Sequence, residues 1–303
     1  GVVVRVVGLY SVGWSRIGDT VSRFSPVWLA LVLLLNLPHI GCKAWRWHGL
    51  LRRSGASFSY LSSLHAYFAG IAAGILTPGR AGEFVRALYP VRAGATTMPV
   101  AAASVLADRL YDLGFLLLLS AGGALLVAGS WLPWMAVIGG GAGVLALWLA
   151  YRLVRPWLHR LAERWGITRS AFASFESSLK TGFGHPLLPL MATVFGVGCM
   201  FGQVVLIARG LGIGIPLGEL LLLFALANTV ALIPVSISGL GTREAALGLL
   251  FTLRGHDAAQ GVTVAMGFFL LVAVPVSLAG VGALWIAPAS GPPRADHPRA
   301  DNP

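Results

Sequence analysis

The sequence predicts an all-α polytopic membrane protein, an inverted repeat of transmembrane helices with two re-entrant helical hairpins. Three observations lead there. First, hydrophobic side chains make up 56% of the 303 residues and charged ones only 11%, against about 25% charged in soluble domains. Second, several apolar runs reach the roughly 20 residues that a bilayer span requires. Third, the rare charges inside those runs gather beside two Gly-containing breaks, one in each half of the chain. A soluble fold would have to hide several long apolar helices inside one modest core.

Residues 1–25 interleave charges with apolar residues and show no small-residue cleavage site. They read as an interfacial or incomplete first helix rather than a signal peptide. The first span covers 26–46, and Pro38 should kink it without ending it, because neighbouring groups can meet the freed carbonyl. Trp45 and Trp47 beside Lys43 and Arg46 read as an interfacial anchor, and 52–59 as a polar loop. Residues 60–76 are apolar and rich in small side chains, then break at Thr77-Pro78-Gly79. Arg80, Glu83 and Arg86 follow at once. That segment is short for a crossing and then too charged for lipid, so a re-entrant hairpin is expected over 60–90. Its glycines permit the close helix approach that would shield it.

A long helix over 99–128 carries Asp108, Arg109 and Asp112, and a span over 133–151 completes a first membrane half, 26–151. The basic stretch 152–185, with aromatic Trp157, Trp165, Phe172 and Phe175, reads as a cytoplasmic or interfacial connection. The second half, 186–287, holds a span at 186–207, a hairpin over 216–254 with a short helix at 242–253, and a span at 259–286. Residues 288–303 read as a disordered polar tail.

With the basic segments 43–58 and 152–185 placed inside, the two halves contain the same span–hairpin–span series in opposite orientation. Secondary transporters commonly use that arrangement. The hairpin tips agree locally: P-G-R-A-G-E at 78–83 resembles G-L-G-T-R-E at 239–244.

The net charge of +11 is spread over short basic loops, with no nucleic-acid-binding pattern, so nucleic acid is not an expected partner. Cys42 and Cys199 are far apart and the histidines lack ligand spacing, so neither a metal nor a cofactor is expected. Neither a nucleophile–His–acid series nor a phosphate loop appears. Gly139–Gly143 (GGGAG) lies inside an apolar span and reads as helix packing.

Charges near the bilayer centre cost several kcal/mol, so they mark candidate sites. Here they are Arg80, Glu83, Arg86, Asp108, Arg109, Asp112, Arg243 and Glu244, with Pro78, Gly79, Gly82, Gly239 and Gly241 at the hairpin breaks. Asp108 and Asp112 share a helical face and need a basic partner, for which Arg86 or Arg80 is available. Arginine forks and the N-termini of short helices after Gly79 and Gly241 suit a lipid phosphate. The same residues also read as structural ion pairs that lock the hairpins into the bundle. Gln203, Asn228, Ser236 and Ser238 are secondary candidates for the cavity lining, each with an ordinary interhelical hydrogen bond as the plainer account. His65 reads as a packed ring, Asn36 as a local backbone partner beside Pro38, and Glu219 as a favourable charge at a helix start.

The ordered motifs L-T-P-G-R-A-G-E-F-V-R at 76–86, A-D-R-L-Y-D-L at 107–113 and P-V-S-I-S-G-L-G-T-R-E at 234–244 resemble the lysylphosphatidylglycerol synthase transmembrane-domain family. The R-W at 46–47 does so too. The resemblance covers residues 26–286 and implies a flippase-like, multi-pass protein of a bacterial-type inner (plasma) membrane. It would carry site roles onto Gly79, Arg80, Gly82, Glu83, Arg86, Asp108, Arg109, Asp112, Gly239, Gly241, Arg243 and Glu244. Fused members have a large soluble synthase domain, whereas a short polar tail follows the last span here, so a stand-alone member that does not itself make lysyl-lipid is expected.

Translocation (flipping) of an anionic or phosphate-bearing lipid between leaflets, through a polar intramembrane cavity, is thus the leading expectation. A membrane-embedded transferase acting on a lipid phosphate is one alternative, although no donor-binding loop is evident. A non-catalytic scaffold for a separate lipid-modifying enzyme is the other. A transporter is favoured over an enzyme, with membrane lipids as the main partners.

Overall fold

The computed structural model describes residues 24–77, 80–128, 168–232 and 239–286. Residues 1–23, the span expected at 133–151, the connection up to 167 and the tail from 288 lie outside the described residues, as do Pro78, Gly79, Ser236 and Ser238. Every element among the described residues is helical. In chain order they are α1 (Pro26–Leu34), α2 (Asn36–Arg53), α3 (Tyr60–Ile75), a 3-10 helix (Ala81–Ala87), α4 (Leu88–Arg92) and α5 (Met98–Ala128). Then follow α6 (Arg169–Gly184), α7 (Leu187–Gly210), α8 (Leu217–Val230), α9 (Thr242–Leu253), α10 (Ala258–Phe268), a π-helical turn (Phe269–Ala273) and α11 (Val274–Ile286).

Among the described residues, four helical stretches are long and apolar enough to cross a membrane: Pro26–Arg53, Met98–Val127, Leu187–Gly210 and Ala258–Ile286. Their outer faces keep leucines bare: Leu37, Leu118, Leu187 and Leu278 are between 66% and 70% exposed. Surfaces of that kind are tolerated where hydrocarbon rather than water surrounds them. The chain is a multi-pass membrane protein.

The first span differs from its expected form. The helix runs on to Arg53, so Lys43 and Arg46 belong to α2 and not to a cytoplasmic loop, and the loop at 52–59 is correspondingly shorter. Trp45 is half-exposed, but Trp47 is fully buried and donates its indole N–H to Ser104 Oγ at 3.1 Å, so only Trp45 fits the anchor role. The physical reason is spacing: Asn36, His39, Lys43 and Arg46 recur every three or four residues, which puts them on one face directed at the bundle.

Two proline-linked breaks meet inside the bundle. The helix is interrupted at Leu35, three residues before Pro38, and again over Phe269–Ala273, just before Pro275. Pro275 has no N–H for the carbonyl of Leu271, four residues back. Asn36 Nδ2 donates to that carbonyl instead, at 3.4 Å. Gln203 Nε2 donates to Val32 O at 3.1 Å and to Asn36 Oδ1 at 3.0 Å. Asn36 therefore bonds across the bundle rather than locally, and Gln203 ties α7 to the first break. Asn228 bonds only its own helix, at Phe224 O.

Between helices, α3 packs on α11, α8 on α5 and α2 on α7. Each of the first two crossings is made close by a glycine. A side chain at Gly280 would run into the carbonyl of Phe68, and one at Gly123 into that of Leu222. Helix α6 is capped by Thr168 Oγ1, which accepts from Ala171 N. It lies against the start of α5, where Phe183 stacks on Tyr111 with ring centroids 5.0 Å apart. At the far end Glu219 accepts from Arg254 Nε at 2.8 Å, and Arg254 also donates to Leu126 O, joining α5, α8 and the α9–α10 turn. Burial works against the Glu219 carboxylate, but Arg254, with His256 Nε2 3.4 Å away, prevails and holds it below the usual range.

Gly280→Ala should lower stability by about 1–3 kcal/mol through overpacking at the α3–α11 crossing. Gly282→Ala, whose added carbon meets nothing within 4 Å, should melt like the wild type. Thermal unfolding in detergent compares the two.

Candidate functional site

The site begins with the row of Asn36, His39, Lys43 and Arg46 on α2. Its inward face carries Lys43 and Arg46 to the same level as Asp108 and Asp112 on α5. Arg46 is 2% exposed and fully engaged. Its Nε donates to Asp108 Oδ1 at 2.7 Å, Nη1 to Asp112 Oδ1 at 2.8 Å and to Thr193 Oγ1 at 2.6 Å, and Nη2 to Asp108 O at 3.1 Å. Lys43 Nζ takes the other oxygen of Asp112 at 2.9 Å. Arg86 Nη2 takes the other oxygen of Asp108 at 2.7 Å. The Arg86 guanidinium lies between aromatic rings, 4.9 Å from Trp47 and 4.4 Å from Tyr67, so cation–π attraction replaces part of its lost hydration. Thus Asp108 does find its basic partner in Arg86, as the spacing anticipates. Arg80 does not take that place.

Arg80 and Arg109 converge on Glu83 instead. Arg80 Nη2 lies 2.9 Å from Glu83 Oε1, and Arg109 Nη2 pairs with the same oxygen. Arg80 is the one non-glycine among the described residues with positive φ, at 57°. That left-handed conformation costs an L-residue about 1–2 kcal/mol, and it places Arg80 at the N-cap of the 3-10 helix. Gly82 sits against Ala73, so close that a side chain would collide with the backbone, and its N–H is held by Thr77 Oγ1 at 2.7 Å.

The second tip is built differently. Gly241 has φ 83°, and its N–H donates to Glu244 Oε2 at 2.6 Å, so Glu244 caps α9. Its other oxygen faces Arg243 Nη2 at 3.3 Å, and the Arg243 guanidinium sits 5.2 Å from the Phe268 ring. Arg80 lies within electrostatic range of both Arg243 and Asp112. The eight predicted charges therefore fall into three ion-paired groups: Arg86, Asp108 and Asp112 with Lys43 and Arg46; Arg80 and Arg109 on Glu83; and Arg243 on Glu244. Sequence reasoning assigned Lys43 and Arg46 to a loop. Tyr67, Trp47 and Thr193 were also missed. The regular spacing of Asn36, His39, Lys43 and Arg46 was the available signal for the first pair; aromatic shielding by Trp47 and Tyr67 has none. His65 is packed edge-on to Tyr89, as expected.

Taken together, six basic side chains (Lys43, Arg46, Arg80, Arg86, Arg109, Arg243) face four acidic ones (Glu83, Asp108, Asp112, Glu244) among the described residues. Arg80 Nε, Arg86 Nε and Arg243 Nε are buried donors with no hydrogen-bond acceptor.

The sequence matches the family described as lysylphosphatidylglycerol synthase TM region over residues 1–280. A UPF0104 membrane protein of Methanothermobacter thermautotrophicus is 22% identical over 269 residues, covering 80% of this chain and 78% of that protein. No solved structure matches.

Because Asp108 neutralises two fully buried arginines, Asp108→Asn should destabilise by about 3–5 kcal/mol. Asp112→Asn should cost less, since that side chain keeps 22% of its surface exposed. Thermal melts in detergent would rank the two, and the reverse order would contradict the geometry.

Proposed function

Because the chain belongs to the lysylphosphatidylglycerol synthase transmembrane-region family, whose membrane part is flippase-like, we propose that it moves an anionic or phosphate-bearing lipid between leaflets. That family places it with transporters rather than enzymes. One observation carries the reading: among the described residues the cluster sets six basic side chains against four acidic ones, with Arg80 and Arg109 partly exposed. Uncompensated charge at membrane depth is expensive, and a phosphate oxygen would supply both the missing charge and acceptors for the free guanidinium donors.

Arg80 and Arg243 are the residues proposed to receive the headgroup, with Glu83 and Glu244 setting their positions. Arg109 and Lys43 add to the field. Arg46, Arg86 and Asp108 anchor the frame against which the tips act. Strain at Arg80 fits this division, since costly backbone conformations persist where surrounding structure fixes a working side chain.

The inverted repeat and its re-entrant hairpins, 60–90 and 216–254, belong to the same proposal. Two related crossings support it. Hairpin arm α3 lies on α11, the closing span of the other half, while arm α8 lies on α5, and a glycine makes each approach possible. A polar cavity between the two tips, a plasma membrane of bacterial type as the location and a separate lipid-modifying enzyme as a partner complete it.

Reconstitution in liposomes with labelled lipids of different headgroups tests the reading. Arg80→Gln and Arg243→Gln should each slow inter-leaflet transfer of anionic lipid about tenfold or more, the worth of one charge-assisted hydrogen bond. Normal transfer in both folded variants would reject the site, and no transfer of any lipid by the wild type would favour a scaffold. Arg80→Gly gives a sharper split. It should melt higher than Arg80→Gln because it relieves the left-handed strain, yet transport no better.

A further inference from the structure

Among the described residues, the two larger clusters of buried apolar side chains stand apart. One joins α8, α9 and α10 with α1 and the end of α7, and includes Val32, Phe224, Phe251 and Phe268. The other joins α2, α3 and the start of α5, and includes Ile40, Trp47 and Tyr67. The span Pro26–Arg53 changes cluster between Val32 and Ile40, and the span Ala258–Ile286 between Val272 and Val276. Both changes coincide with the helix breaks, at Leu35 and over Phe269–Ala273. Helices α5 and α7 run unbroken past both clusters. On α5, Val105 belongs to the second and Leu126 packs against the first. On α7, Thr193 bonds to Arg46, while Ile207 belongs to the first.

A helix bends most readily where its own hydrogen-bond ladder is interrupted. At both breaks a side-chain amide now serves a ladder carbonyl. Leu271 O, which Pro275 leaves without a donor, takes Asn36 Nδ2 at 3.4 Å, and Val32 O takes Gln203 Nε2 at 3.1 Å. A side chain follows a moving carbonyl by turning about its own bonds, so such a break bends without stranding a polar group in the membrane. Gln203 Nε2 also donates to Asn36 Oδ1 at 3.0 Å, which makes the two breaks move as a pair.

We infer that the paired breaks form a hinge between two rigid bodies, one built on each cluster. Each body carries one of the segments proposed as hairpin tips. Arg243 stands over Phe268, in the first cluster. Arg80 pairs with Glu83 of the 3-10 helix, which packs on α3 of the second. Bending at the hinge therefore changes the separation of Arg80 and Arg243. Because α5 and α7 are continuous, the motion is a tilt and not a slide. Its use in moving a headgroup rests on the lipid reading above; the bend itself does not.

The test is double electron–electron resonance on the full chain in lipid nanodiscs. Spin labels go on Leu61→Cys of α3 and Leu249→Cys of α9, both well exposed, in a Cys42→Ser, Cys199→Ala background. The parent should show two label-to-label distances. Pro275→Ala returns an N–H to Leu271 O and should collapse them to one. Asn36→Ala unties the breaks and should broaden the distribution beyond the parent. A single narrow distance in the parent would overturn the hinge, as would an unchanged distribution in either variant. Should Pro275→Ala fail to fold, the parent and Asn36→Ala still decide the matter. Inter-leaflet transfer separates the bend from its use: Pro275→Ala should be slower by about tenfold or more, because opening then limits the rate. Normal transfer with collapsed distances would overturn the use of the hinge and leave the bend standing. Two distances in a parent that transfers no lipid would overturn the lipid reading alone.

Discussion

Asp108 is held from two sides, by Arg46 of α2 and Arg86 of the 3-10 helix, and the relative positions of three elements follow from that carboxylate. Neither arginine has water to turn to, and each is sheathed by aromatic or helical neighbours. Ion pairs so deeply buried gain little over an apolar replacement, but breaking one is costly. Their effect is positional. Arg46 fixes the rotation of α2 about its axis, and that rotation sets Lys43, His39 and Asn36 along the same inward line. Arg86 fixes the 3-10 helix, just six residues beyond the strained turn at Arg80.

Much of the fold could be read from the sequence because lipid imposes a simple requirement: long apolar runs become helices. Thr242–Leu253 and Tyr60–Ile75 fell almost where hydropathy and breaks placed them. The candidate site was legible in part, since Glu83, Asp108, Arg243 and Glu244 stand out as charges in apolar company. Lys43 and Arg46 did not. Basic residues between apolar runs ordinarily mark a cytoplasmic loop, and only the partner acids, sixty-odd residues away, turn them inward. Asn36 was misread for the same reason, as its acceptor, Leu271 O, is created by a proline in the final span.

The two segments proposed as hairpin tips share letters but not construction. At the first, a non-glycine residue is held in a left-handed turn and two arginines share one carboxylate. At the second, glycine takes the left-handed turn and Glu244 spends one oxygen on its own helix, leaving Arg243 a longer, 3.3 Å contact. The first tip is thereby tied into the Asp108 frame, whereas the second rests on a local cap and an aromatic ring. Under the proposed repeat, this asymmetry assigns the stiffer role to the first half and the more adaptable one to the second.

A purely structural account of the charges meets a numerical difficulty. Ion pairs that serve only to lock helices need equal numbers of each sign, and any surplus of one sign in a low-dielectric interior works against the fold. Among the described residues the balance is positive, and Arg80, Arg86 and Arg243 each keep a buried, unused Nε donor. Such donors also lose their hydration without gaining an acceptor. Both deficits have the same remedy, a negatively charged oxygen-rich group, and a membrane supplies that group as a lipid headgroup. The surplus is therefore what the lipid reading explains and the locking reading does not.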